Sequence, residues 1–262
     1  MIRRLYVDTP GGQVHVRRSG DGSPIVLLHQ SPSSGAMWEP VFAHLAASGF
    51  GAIAPDMQGH GNSFRPAAPP AIADYAACMV AVMDALGLER VDLVGHHTGA
   101  LVAAQIAADY PDRVRKLVLW GLAMYVDALR ASRERLKNER PPDYDVQGNE
   151  LVSFWSRQRS LAGEAFTAEL GVRAMIEMLQ TGSARPWGHW AGQQCEREAV
   201  LARVAHPALV MGGERDPLWP GIEAAASLIP HARFHVLRGA GLYVTDEFPE
   251  EFARLVTQFL ET

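Results

Sequence analysis

Cysteine is nearly absent: the chain has 2 in 262 residues. Cys78 and Cys195 lie far apart with no CxxC spacing, which argues against a disulfide framework or a zinc site and fits a reducing cytoplasm. No apolar run is long enough to span a bilayer. The N-terminus, MIRRLYVDTPGGQVHV, alternates polar and apolar residues where a signal peptide would have an apolar core. An excess of basic charge is missing too. Lys and Arg number 24 against 29 Asp and Glu, for a formal net charge of -5, and the arginines are interleaved with acids. No basic stripe is left to neutralise a nucleic-acid backbone. Neither nucleic acid nor membrane is therefore expected as a partner. What is present is apolar residue in quantity, 48% of the chain. At this length that supports one large α/β domain, or a domain carrying an insertion.

The apolar residues come in short runs that end in glycine-rich or polar loops. Gln13 to Arg18 alternates like a strand, and Pro24 to His29 is a continuous apolar run ending in a polar loop. Gly51 to Pro55, Val91 to Val94 and Lys116 to Trp120 follow the same pattern. They alternate with helical stretches at Ala71 to Leu86 and Ala100 to Asp109. This is the signature of βαβ units around a mostly parallel sheet, where ligands bind at the carboxyl ends of the strands. Asp127 to Arg203 reads differently, with many charges, three tryptophans and no convincing strand, and is expected to be a helical insertion. Strand signals return at Ala208 to Met211 and Arg233 to Leu237. An amphipathic helix, Pro249 to Leu260, closes the chain.

Four motifs, in this order, resemble those of the α/β-hydrolase family. LLHQSPSSGAMW resembles the family's His-Gly loop, with Gln30 standing where glycine is usual. DMQGHGNS is similar to its D-x-x-G-x-G-x-S loop. VGHHTGA resembles the nucleophile elbow G-x-S-x-G, a strained strand-to-helix turn that pushes one side chain into the pocket. LVMGGERDPLWP followed by LRGAGLYVTDEFPEEF resembles the acid loop and the histidine loop. The resemblance implies an α/β-hydrolase fold, with a mostly parallel sheet flanked by helices. The core would span residues 1–126 and 204–262, under a helical cap at 127–203. It also implies oxyanion donors at the backbone N–H groups of Ser31 and Thr98, and an orienting carboxylate at Asp216.

Two positions depart from the family. The serine of the elbow is His97, and the histidine expected after Gly-Ala-Gly is Leu242. A hydrolase triad needs a nucleophile, an imidazole to take its proton and a carboxylate to orient the imidazole. Only Asp216 stands in its family place, so the chain is not expected to act as an ordinary serine hydrolase. His97 is read as functional because histidine is the commonest acid-base group and strain at an elbow tends to mark function. The bland reading is a degenerate elbow in a non-catalytic binding protein. For Asp216 the bland reading is a helix cap near Pro220. His96 and His60 are read as structural. His29 and Gln30, with Trp155, Trp187, His189 and Trp190 of the insertion and Leu242 and Tyr243 in the loop after Arg233 to Leu237, are candidate substrate contacts, although the family commonly uses the residue at His29 to brace its loop. The tryptophans fit equally the cap's own small core.

The leading reading is an enzyme needing no cofactor or metal, since no motif for either is present. It would act on a small carbonyl-bearing molecule, with His97 as general acid-base, in proton transfer of lyase, isomerase or decarboxylase type or in hydrolysis by an activated water. His97 as a covalent nucleophile and a non-catalytic ligand-binding protein are the alternatives. A homo-oligomer is compatible with the sequence.

Overall fold

A computed structural model describes residues 1–262. The chain runs through β1 (Arg3–Thr9), β2 (Gly12–Ser19), β3 (Ser23–Leu28), α1 (Glu39–Ala47), β4 (Phe50–Pro55), α2 (Ile72–Ala85), β5 (Val91–His96), α3 (Thr98–Asp109) and β6 (Val114–Trp120). Five helices follow: α4 (Arg130–Lys137), α5 (Asn149–Ala162), α6 (Ala168–Thr181), α7 (Trp187–Gln194) and α8 (Arg197–Leu201). It then returns through β7 (Ala208–Gly213), α9 (Ile222–Ala226), β8 (Arg233–Leu237), α10 (Val244–Glu247) and α11 (Pro249–Glu261). The eight strands form one sheet in the order β1-β2-β4-β3-β5-β6-β7-β8. The β1–β2 and β2–β4 pairs are antiparallel and every other pair is parallel. This is the α/β-hydrolase fold that the motifs imply. β1 and α1 are elements that the sequence reading did not assign.

Successive strand residues point to opposite faces, and the two faces are closed by different helices. Ile25, Leu27, Val94 and Val118 pack with Phe42 of α1 and Phe252 of α11. Val26, Leu28, Leu93 and Leu119 pack with Met79 of α2 and Leu101 of α3. Because both faces are covered, the central strands are apolar along most of their length, with Asp92, Arg115 and Lys116 near the amino ends of β5 and β6, and the site chemistry falls at their carboxyl ends.

All of α4 to α8 lies between β6 and β7, above those ends. Side chains tie this layer to the loops below. Glu177 of α6 accepts from Ser33 Oγ at 2.8 Å and from Ser34 Oγ at 2.8 Å and N at 3.1 Å. Arg173 of α6 grips both carboxylate oxygens of Asp246 at 2.8 and 2.7 Å. No helix is long and apolar enough to cross a membrane.

Candidate active site

β5 ends at His96 and α3 begins at Thr98, so the whole reversal falls on His97, whose φ is +48° and ψ −109°. That region is costly for a residue with a Cβ, and such cost is tolerated where the surroundings fix it. The turn aims the imidazole at the acid loop after β7. His97 Nε2 lies 2.8 Å from Asp216 Oδ2 and 3.1 Å from Oδ1.

Asp216 is buried. Burial pushes its pKa up, but the contact with His97 and the Leu218 N–H bonded to Oδ1 at 2.8 Å outweigh burial and hold it below the usual carboxylate value. An ionised Asp216 keeps the hydrogen on Nε2, which leaves a lone pair on Nδ1. Nδ1 meets no protein group and is not sealed from solvent. Asp216 therefore holds the His97 ring and closes the local turn at Leu218, while the short helix at Trp219–Gly221 has no side-chain cap.

Above His97 is a cavity of about 160 Å³, on the scale that holds a benzene-sized ring. Gln30, Ser31, Thr98, His189, Leu242 and Tyr243 line it together with His97. The Thr98 amide, the first of α3, has no partner within its helix, and the Ser31 amide donates to no protein group. The Ser31 hydroxyl is engaged elsewhere, donating to His60 Nε2 at 3.0 Å while His60 Nδ1 donates to the Gln58 carbonyl at 3.2 Å. Burial lowers the His60 pKa to about 3, so this ring accepts as a neutral base. His96 is neutral for the same reason. Burial, then the neighbouring His97, drives its pKa far down, and its Nε2–H donates to the Leu242 carbonyl at 3.0 Å.

Four expected substrate contacts lie elsewhere. His29 is fully buried and does not line the cavity, because both ring nitrogens hold backbone: Nδ1 donates to the Gln30 carbonyl at 2.7 Å and Nε2 accepts from the Met57 amide at 2.8 Å. Burial takes its pKa down to about 4. Trp155 stacks edge-on against Phe166 with ring centroids 5.3 Å apart. Trp187 packs beside Gly59, and Trp190 donates Nε1–H to the Glu139 carbonyl at 3.1 Å beside a surface groove. None of the three tryptophan rings lines the cavity.

The cap instead presents charge: Arg135, Arg157, Arg185 and Arg197 against Glu139 and Glu177. Arg185 pairs with Glu139 and Glu150. Arg197 is buried between the carbonyls of Ala123 and Gly192 and the Tyr125 hydroxyl. Arg135 and Arg157 have no ion pair or hydrogen bond. The charge density of Asp127 to Arg203 was the available signal for this lining. Gly121, at the end of β6 with φ +64°, is a further site residue that the sequence did not single out.

The profile of the alpha/beta hydrolase fold family matches residues 23–249 of the chain. The chain belongs to this family, and it is an enzyme of the hydrolase type. It is 30% identical over 262 residues to the 2-hydroxymuconate semialdehyde hydrolase of Pseudomonas sp. strain CF600, a match covering 95% of this chain and 91% of that one. It is 28% identical to the 2-hydroxy-6-oxo-2,4-heptadienoate hydrolase of Pseudomonas putida, covering 95% and 93%. A meta-cleavage product hydrolase from Pseudomonas fluorescens IP01 superposes with a TM-score of 0.80 at 23% identity, covering 98% of this chain and 97% of that one.

Proposed function

We propose that the chain hydrolyses a small carbonyl compound bearing a carboxylate, with the His97–Asp216 pair activating water in place of a serine nucleophile. The observation that carries this reading is the His97 imidazole, fixed by Asp216 through Nε2 at 2.8 Å with Nδ1 open to the cavity. Nδ1 takes a proton from water as the water oxygen bonds to the carbonyl carbon, and the carbonyl electron pair moves onto oxygen. The free amides of Ser31 and Thr98 hold that oxyanion. Its collapse restores the carbonyl and expels the leaving group, which takes up a proton, so one water is consumed overall. Asp216 stabilises the imidazolium formed meanwhile.

Three features support the substrate class. The cavity suits a small organic molecule, its volume being on the benzene scale. Arg135 and Arg157 line it without partners, a setting for a carboxylate. The relatives named above carry, in their names, oxo compounds that bear one carboxylate.

The test is turnover of 2-hydroxymuconate semialdehyde in ¹⁸O-labelled water, by the wild type and by His97→Ala. The expected result is one labelled oxygen in the product acid from the wild type and no product from the variant. Unlabelled product would mean proton-transfer chemistry, and an undiminished His97→Ala would remove His97 from the reaction.

A further inference from the structure

A second histidine faces the same cavity, from the opposite wall. His189 lies in α7 of the cap, and its Nδ1 bonds to Glu139 Oε2, a residue that also lines the cavity. Its Nε2 meets no protein group and is not sealed from solvent, so that nitrogen opens on the cavity. The position of this wall is set by Gly188. A methyl group built on Gly188 would come within 1.9 Å of Ser31 Oγ and 3.4 Å of Thr98 Cγ2, so the backbone of α7 rests directly on the two residues whose amides are free. Two imidazoles, each paired with a carboxylate, thus face the cavity, His97 with Asp216 from the sheet and His189 with Glu139 from the cap.

We propose that His189 is the general acid that protonates the leaving group, while His97 serves as the base toward water. This rests on the hydrolytic reading above and divides between two imidazoles what a single triad histidine does alone. In the collapse step the bond from the former carbonyl carbon to the leaving atom breaks, its electron pair goes to that atom, and the proton on His189 Nε2 is transferred to it. His189 becomes neutral while His97 carries the proton taken from water, and exchange with solvent restores both. Glu139, bonded to Nδ1, orients the His189 ring and faces it with a carboxylate. Burial raises the Glu139 pKa, but the bond to His189 and the charges of His189, Arg185 and Arg157 outweigh it, so Glu139 is held ionised. The charged groups that line the cavity with His189 are Glu139, Arg135, Arg157, Glu177, Arg185 and Arg197, and His60 of the core loop is near enough to feel its charge.

The experiment is a series of esters with one acyl group and leaving groups from nitrophenol to ethanol, assayed with the wild type, His97→Ala and His189→Gln. A good leaving group departs as an anion, whereas ethoxide needs a proton. His189→Gln is therefore expected to lose on the order of a hundredfold in kcat/KM on the ethyl ester and less than about tenfold on the nitrophenyl ester. The plot of rate against leaving-group pKa steepens accordingly. His97→Ala is expected to fall across the whole series. Equal losses along the series for His189→Gln would overturn the proposal and leave the base assignment standing. A wild type inactive on the whole series would overturn both. Glu139→Gln keeps the imidazole but removes its ion partner, and it is expected to steepen the same plot by a smaller amount. It decides the matter should His189→Gln fail to fold.

Discussion

The His97 imidazole lies against the α-carbon of Gly121, where an added methyl group would come within 2.1 Å of His97 Cδ2, 2.4 Å of Nε2 and 3.2 Å of Asp216 Oδ2. Gly121→Ala is therefore expected to push the ring off Asp216. The loss should be about a hundredfold in kcat/KM, the scale of an ångström's misplacement. Kinetics and thermal unfolding measured together separate this from loss of fold, because alanine at φ +64° adds about 1 kcal/mol of backbone strain. A variant with wild-type kinetics would show that the His97–Asp216 contact is not needed for turnover.

The swap at the elbow makes a second expectation. His97→Ser alone should hydrolyse no activated ester, since no imidazole held by Asp216 is left beside the serine to take its proton, and His189 is held by Glu139 in the cap. Leu242 lines the cavity at the place the family gives its histidine. The double change His97→Ser with Leu242→His should recover weak esterase activity with Asp216 as the orienting acid. Recovery stays weak because Leu242 also packs with Ala162, Leu170 and Tyr243, and that cluster must rearrange around an imidazole. An active single variant would reveal another proton acceptor.

Arg157→Ala and Arg135→Ala are expected to raise KM about tenfold or more for a carboxylate-bearing substrate. A neutral ester of the same size should respond far less. Trp155→Phe and Trp187→Phe should leave KM unchanged for both substrates. The comparison of the two substrates is the measurement, and a tryptophan effect confined to KM would return those rings to the binding site.

Acid stability follows from Asp56. Its carboxylate accepts from Arg17 at 2.7 Å, from His15 at 2.9 Å and from the amides of Gly35 and Asn62 at 2.8 and 3.0 Å. Burial raises its pKa, yet the bond to His15 and the Arg17 charge bring it down from 3.8 to about 2. The folded value lies below the unfolded one, so the unfolded chain binds the proton first as pH falls. The resulting stabilisation, about 2.5 kcal/mol, is complete above pH about 4 and is lost toward pH about 2. Denaturant unfolding of the wild type and Asp56→Asn should show a stability gap that is widest at neutral pH and narrows below pH about 4. A gap independent of pH would assign the acid response to other groups.

What could be read from the sequence was whatever is local. The strand runs, the elbow glycines and the order of the loops are short-range patterns, and they lead to the fold and to His97 facing Asp216. Contacts between distant segments leave no such pattern. Glu177 meets Ser33 and Ser34 across more than 140 residues of chain, and nothing near Glu177 in sequence announces the meeting. The tryptophans misled for a related reason. A large aromatic ring in a cap is buried at a profit against any apolar neighbour, and Trp155 found Phe166 rather than the cavity. For His29 the resemblance offered a loop brace beside a substrate contact, and with both of its nitrogens bonded to backbone it is the brace.

The elbow separates the holder from the reagent. A methyl group on Gly95 would strike the Gly99 carbonyl at 2.4 Å and the Ala100 backbone at 2.5 Å, and one on Gly99 would strike the Leu28 carbonyl at 2.1 Å. Both glycines are thus fixed by backbone, which cannot give way, whereas the side chain of residue 97 between them faces the cavity. Descent within such a family can exchange the group at 97 while every atom that shapes the turn stays put. A saturation library at 97 should accordingly yield proteins that fold alike and differ in chemistry, and one at 95 or 99 should yield few that fold at all.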